Sequence, residues 1–187
     1  MRTFFAIKPS RTMLEHIQNS VHRLQDAIPS GVKWISPEQV HITLKFLRDF
    51  DSNHISPLET AIDSICRESE PIPLSLTHAG IFPSRGKPRV IWMGLEEEPS
   101  LRELVASIEA ACAELGTTKE KRPFSPHITI GRVKRHIPTQ DLNSIRQAVA
   151  ALPPISASRF TATRLHFIQS RLTRSGPIYA DVFTKAL

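Results

Sequence analysis

The sequence predicts an α+β fold of two lobes, with antiparallel sheets facing a central cleft and helices on the outside. Three observations carry that prediction. Short runs of alternating apolar residues and longer stretches of helical periodicity follow one another as strand, helix, strand, helix, strand, and then again in the same order. Two tetrapeptides, His41-Ile42-Thr43-Leu44 and His127-Ile128-Thr129-Ile130, read almost alike and stand 86 positions apart. The same offset relates Phe5-Ala6-Ile7 to Ile91-Trp92-Met93, Ile81-Phe82 to Phe167-Ile168, and Ser84-Arg85 to Ser170-Arg171. The chain therefore reads as a diverged tandem duplication, roughly 1–86 and 87–187, folded as a single bilobed domain.

Each element has its own warrant. Thr3 to Lys8 is a compact strand closed by Pro9. Ser10 is placed to cap a helix whose apolar stripe is Met13, Ile17, Val21 and Leu24, broken at Pro29-Ser30-Gly31. Trp34-Ile35 leads through Pro37 into the first motif strand, about Val40 to Leu47. Ser56-Pro57-Leu58-Glu59 has the form of a capping box with proline at the first helical position, opening a helix to Arg67. Pro71 to Phe82 is a strand, and Pro83 to Pro88 a basic loop. In the second half, Arg89 to Leu95 is a strand and Ser100-Leu101-Arg102-Glu103 a capping box for a helix through Leu115. A loop over Gly116 to Pro123 precedes the second motif strand, Phe124 to Val133. Thr139 to Ala151 is a helix ended before Pro153-Pro154. Ser156 to Ile168 is a strand, Gln169 to Gly176 a second basic loop, and Ile178 to Phe183 the last strand.

Composition narrows the function classes. A net charge of +6 favours an anionic partner such as nucleic acid or phosphate. No apolar run approaches the ~18 residues of a membrane span, and the run at Phe4-Phe5-Ala6-Ile7 is too short for a signal peptide. A cytoplasmic protein is expected, with Cys66 and Cys112 as reduced core thiols on helices.

Side chains alternate across a strand, so within each tetrapeptide His and Thr share one face while the aliphatic residues point into a core. Of the eight histidines, only His41 and His127 have a threonine two residues on followed by an apolar residue. Two imidazoles can supply a base and an acid at neutral pH, and two hydroxyls can hold oxygens that gain charge, which is what in-line displacement at phosphorus requires. No Asp, Glu or Cys lies within two residues of either histidine, which argues against a metal site. There is no Gly-rich phosphate loop, dinucleotide fingerprint or nucleophile elbow, so no cofactor is expected. By strict alternation Lys45 shares the face of His41 and Thr43, whereas Arg132 falls on the opposite face unless its strand bulges. Phe46 is either a core residue or a stacking surface for a base. Basic loops at Arg85-Lys87-Arg89, Lys119-Lys121-Arg122 and Arg171-Arg174 could carry an RNA backbone as a group.

With these residues in place, the chain resembles the 2H phosphoesterase superfamily, and within it the RNA 2′,3′-cyclic phosphodiesterases, also called LigT-like 2′-5′ RNA ligases. The resemblance rests on both tetrapeptides and on Arg2-Thr3-Phe4-Phe5-Ala6-Ile7, Trp34-Ile35-Ser36-Pro37, Lys45-Phe46-Leu47 and Ser125-Pro126-His127 through Arg132. One departure is Arg48, where members often carry glycine. The resemblance implies metal-independent hydrolysis of RNA 2′,3′-cyclic phosphate ends, or of a cyclic nucleotide, to 2′-phosphomonoesters, with reversible 2′-5′ ligation. It implies His41 and His127 as the catalytic pair, here expected as acid and base respectively. Thr43 and Thr129 would hold phosphate oxygens, and Lys45, Arg132 and Phe46 would contact substrate. Two alternatives stand beside it: a non-catalytic RNA-binding module on the same fold, and an esterase for a small cyclic nucleotide or a 2′-5′ oligonucleotide. A monomer is expected, since the duplication supplies both half-sites.

Overall fold

The computed structural model describes residues 1–187 except 29, 156, 157 and 175. The expected break at Pro29 and the expected strand start at Ser156 lie outside the described residues. Among the described residues nine strands form one hydrogen-bonded sheet, eight of them in the order β7 (Arg159–Ala162), β4 (Ile72–Phe82), β5 (Val90–Leu95), β6 (His127–Val133), β3 (Ile42–Leu47), β1 (Thr3–Ile7), β8 (Arg164–Leu172), β9 (Pro177–Ala186). The short strand β2 (Val32–Trp34) pairs with the far end of β6. All pairings are antiparallel.

The two halves of the sheet meet at a single residue pair, Ile42 opposite Ile128. Those residues are 86 apart in sequence, so the centre of the sheet is the junction of the two motifs. Helices α1 (Arg11–Ala27) and α4 (Thr139–Ala151) cover the β4–β6 side, while α2 (Ile55–Arg67) and α3 (Pro99–Glu114) cover the β1–β3 side. The lobes are thus interlaced: β4 pairs with β5, β8 with β1, and the first helix of each half packs on the other half's strands. A continuous core runs beneath both, with Phe5, Phe167 and Phe183 against α2 residues Leu58 and Ile62, and Ile91, Met93 and Ile128 on the other side. Cys66 and Cys112 are buried free thiols, pushed by desolvation up to about 11 and about 12.

Helix starts show where local sequence rules were outcompeted. Ser10 caps α1, its hydroxyl accepting from the Met13 N–H at 3.2 Å. Ser56, expected as a cap, lies inside α2; Asp51 instead accepts from Asn53 N–H at 3.0 Å and opens a short 3₁₀ turn that runs into the helix. At α3 the cap is Glu98 rather than Ser100, with its carboxylate accepting from both the Ser100 N–H and hydroxyl. The single strand expected from Ser156 to Ile168 is two strands serving opposite edges: β7 pairs with β4 and β8 with β1 and β9. The first half of the loop expected from Gln169 is strand, since β8 continues to Leu172 before the hairpin turns into β9.

One irregularity decides the site. Phe5 pairs with Lys45 but Ala6 with Thr43, so Leu44 is an extra residue in β3. Ile91 pairs with Gly131 but Trp92 with Thr129, so Ile130 is an extra residue in β6. Each bulge lies three residues past a motif histidine, and each reverses the side-chain alternation beyond it.

Candidate active site

The motif strands lie side by side at the middle of the sheet. Their antiparallel pairing through Ile42 and Ile128 brings His41 alongside Thr129 and Thr43 alongside His127 on the cleft face. The histidines are then diagonal neighbours, whose Cα atoms in such pairs stand about 8 Å apart. That separation leaves room for one tetrahedral group between two imidazoles.

Both rings are held alike. His41 sits just before β3, and its Nδ1–H donates to the Gln39 carbonyl at 2.6 Å; the Nδ1–H of His127 donates to the Ser125 carbonyl at 2.8 Å. A carbonyl can only accept, so in each neutral ring the proton is on Nδ1 and the lone pair on Nε2. Gln39 closes a 3₁₀ turn over Pro37–Gln39, and its side-chain amide donates to the Pro177 carbonyl at 2.7 Å, tying that turn to the β8–β9 hairpin.

Each imidazole rests on an aromatic floor. His41 stacks on Phe4 with centroids 4.7 Å apart and meets the edge of Tyr179 at 5.4 Å. His127 meets Phe82 edge-on at 5.1 Å and Trp92 at 6.4 Å. Trp92 lies flat over Gly80, where any Cβ would collide with the indole. Desolvation pushes the pKa of His41 below its ordinary value; the positive charges of Arg132 and Lys8 and the other histidine add to this, against the opposing hydrogen bond to Gln39.

A cleft of about 370 Å³ opens on this face, lined by His41, Thr43, Phe46, Thr129 and Arg132 together with Arg2, Lys33, Trp34, Gln39 and Tyr179. His127 stands outside that lining, in the position beside Thr43 that the strand register gives it. Arg2, Lys33 and Arg132 make the cleft basic, and no carboxylate lines it. Among the described residues, no three His, Cys, Asp or Glu side chains cluster as a metal site would require. No helix there is long and apolar enough to cross a membrane.

The bulges sort the remaining site candidates. Past Ile130 the alternation reverses, and Arg132 enters the cleft that strict parity denied it. Past Leu44 the same reversal brings in Phe46, 42% exposed, with the Arg2 guanidinium 4.6 Å from its ring centroid. Lys45 is thereby turned away from the cleft, contrary to expectation. It is 5% exposed and its ammonium pairs with Glu109 of α3 at 2.7 Å and donates to the Thr118 carbonyl at 3.3 Å. Gly131 holds the place in β6 that Lys45 holds in β3, and a Cβ there would stand 2.9 Å from Val32. Arg2, Lys33, Gln39 and Tyr179 escaped sequence reasoning; they come from three other segments, and only Arg2 lay in a stretch already singled out.

Comparison with known proteins follows the same line. The family described as the 2′-5′ RNA ligase superfamily matches residues 13–174. The RNA 2′,3′-cyclic phosphodiesterase of Archaeoglobus fulgidus is 32% identical over 182 residues, covering 97% of this chain and 98% of the relative. The protein of the same name from Methanothermobacter thermautotrophicus is 29% identical over 185 residues, covering 97% and 96%. Among solved structures, a Thermus thermophilus protein superposes with a TM-score of 0.81 at 26% identity, covering all of this chain and 98% of that one. LigT of E. coli, solved with 3′-AMP, shares the fold with a TM-score of 0.76 at 24% identity, covering 100% and 97%.

Proposed function

The chain belongs to the 2′-5′ RNA ligase superfamily, and from that premise we propose that it is an RNA 2′,3′-cyclic phosphodiesterase that opens the terminal cyclic phosphate to a 2′-phosphomonoester without a metal ion. Full-length relatives carrying that enzyme name favour catalysis over a non-catalytic binding module. The observation that carries the mechanism is the matched anchoring of His41 and His127, which puts the lone pair of each ring on Nε2, with both histidines on one face of the sheet beside two threonines.

In the hydrolysis, the cyclic phosphate lies between the rings. His127 takes a proton from water as the water oxygen bonds to phosphorus, and the bond from phosphorus to O3′ breaks. His41, as imidazolium, gives its proton to O3′. What supports the acid role is the setting of His41: a desolvated ring near Arg132 and Lys8 is a strong acid once protonated, and the anionic substrate offsets that positive field when it binds. Thr43 and Thr129 donate to the non-bridging oxygens, with Arg132 supplying positive charge. The acid–base pair accounts for roughly 10²–10⁴-fold of the rate. A 5′-hydroxyl in place of the water gives a 2′-5′ phosphodiester by the same proton transfers, which is ligation without ATP.

The pairing of Ile42 with Ile128 at the sheet's centre supports one bilobed domain made by duplication of segments near 1–86 and 87–187. Both half-sites lie in one chain, which supports action as a monomer, and the two free buried thiols suit the cytoplasm.

Incubation with a 2′,3′-cyclic nucleotide in excess EDTA, followed by phosphorus NMR, tests this reading. A 2′-phosphate is expected. No product, with a cyclic-phosphate-ended oligonucleotide also untouched, would overturn it.

A further inference from the structure

Beyond Phe46 the protein has a second cavity, of about 400 Å³, whose walls include Arg48, Asp49, His54, Thr117 and Thr118. Phe46 lines both this cavity and the catalytic cleft, so its ring is a wall common to the two. Large exposed apolar side chains are few among the described residues, and Phe46 is one of three; Leu172, another, lines the catalytic cleft. An exposed aromatic ring between two adjoining cavities, one of them holding the reacting phosphate, has the form of a stacking step along a single strand.

The far wall of the second cavity is fixed by the lysine that the bulge turned inward. Lys45 pairs with Glu109 and donates to the Thr118 carbonyl, while Glu109 accepts from the Glu120 N–H at 2.7 Å. This partly buried pair holds the loop after α3 in place, and with it the exposed Lys119 and Lys121 that follow Thr118 in the loop. The cavity thus offers an aromatic wall, polar groups of both signs for base edges and ribose, and basic residues in the adjoining loop for a phosphate. The basic loop over residues 83–88 is tied elsewhere: Lys87 donates to the Arg135 carbonyl, and the Gly86 carbonyl accepts from Arg146.

We propose that the cavity beyond Phe46 receives the nucleotide that precedes the cyclic-phosphate end, so that the enzyme reads RNA termini as at least a dinucleotide. This rests on the phosphodiesterase activity proposed above. Lys45 and Glu109 are positioning residues for this subsite, and Arg48, Lys119 and Lys121 make the direct contacts with the extra nucleotide.

The test compares kcat/KM for a pyrimidine 2′,3′-cyclic mononucleotide and for a dinucleotide ending in the same cyclic phosphate, at one fixed salt concentration. The wild-type protein should prefer the dinucleotide by at least about tenfold. Arg48→Ala, and separately a Lys119→Ala/Lys121→Ala double variant, should erase most of that preference while leaving mononucleotide turnover unchanged. All three side chains are exposed, so neither variant threatens the fold. Equal kcat/KM for the two substrates in the wild type, or parallel loss on both substrates in the variants, would overturn the proposal. Turnover of neither substrate by the wild type would instead overturn the activity itself, and the subsite with it.

Discussion

Lys45→Met separates the two roles that this lysine could have had. If Lys45 pointed into the cleft, its loss would lower turnover and leave stability nearly unchanged. The structure places its ammonium 2.7 Å from Glu109, with side chains 4% and 21% exposed. Breaking such a pair leaves a partly buried carboxylate without its counter-ion, at a cost of about 3–5 kcal/mol. Glu109 keeps the Glu120 N–H as a donor and some access to water, which favours the lower end, about 3 kcal/mol. For a chain of this length that corresponds to a fall in Tm of roughly 6–12 °C. The Lys45→Met/Glu109→Leu double variant removes both charges and should recover most of the loss, because an apolar pair of similar volume incurs no desolvation cost. Thermal unfolding followed by circular dichroism reads the first effect, and turnover of a cyclic mononucleotide should stay within about threefold of wild type. An unchanged Tm with turnover reduced by about 100-fold would refute the bulged register and restore Lys45 to the active site.

Two further substitutions bear on the chemistry. Thr43→Ala and Thr129→Ala should each lower kcat by about 10²-fold, measured under saturating cyclic nucleotide, as expected for loss of one donor to a developing oxyanion. Gln39→Ala removes the amide that ties the His41 turn to Pro177. It should lower kcat by about tenfold, with little change in KM, and should move only the His41 limb of the pH–rate profile.

The tetrapeptides were legible because their signal is local: a histidine and a threonine two apart must share a face in any strand. The same rule failed beyond Leu44 and Ile130, since one inserted residue reverses every later side chain and leaves no mark in composition. Arg132 shows the limit well. Parity alone put it on the wrong face; the bulge at Ile130 corrects that, and the matching bulge at Leu44 in the other motif strand removes Lys45 and admits Phe46. Helix caps failed for another reason. Ser56 and Ser100 satisfy the local pattern, but Asp51 and Glu98 stand earlier in the chain and take the cap first. The interlacing of the lobes was beyond sequence reasoning, because it depends on which half's last strand each β1-like strand accepts.

The most direct measurement is the pH dependence of kcat/KM for a cyclic nucleotide in the wild-type protein and in His41→Ala and His127→Ala. The wild type should give a bell. In His127→Ala only the fall with rising pH should survive, because catalysis then depends on protonated His41, and its midpoint should lie below the ordinary histidine value of 6.5. In His41→Ala only the rise should survive. Near-wild-type activity in either variant, or loss of the opposite limbs, would contradict the pairing of His41 as acid with His127 as base.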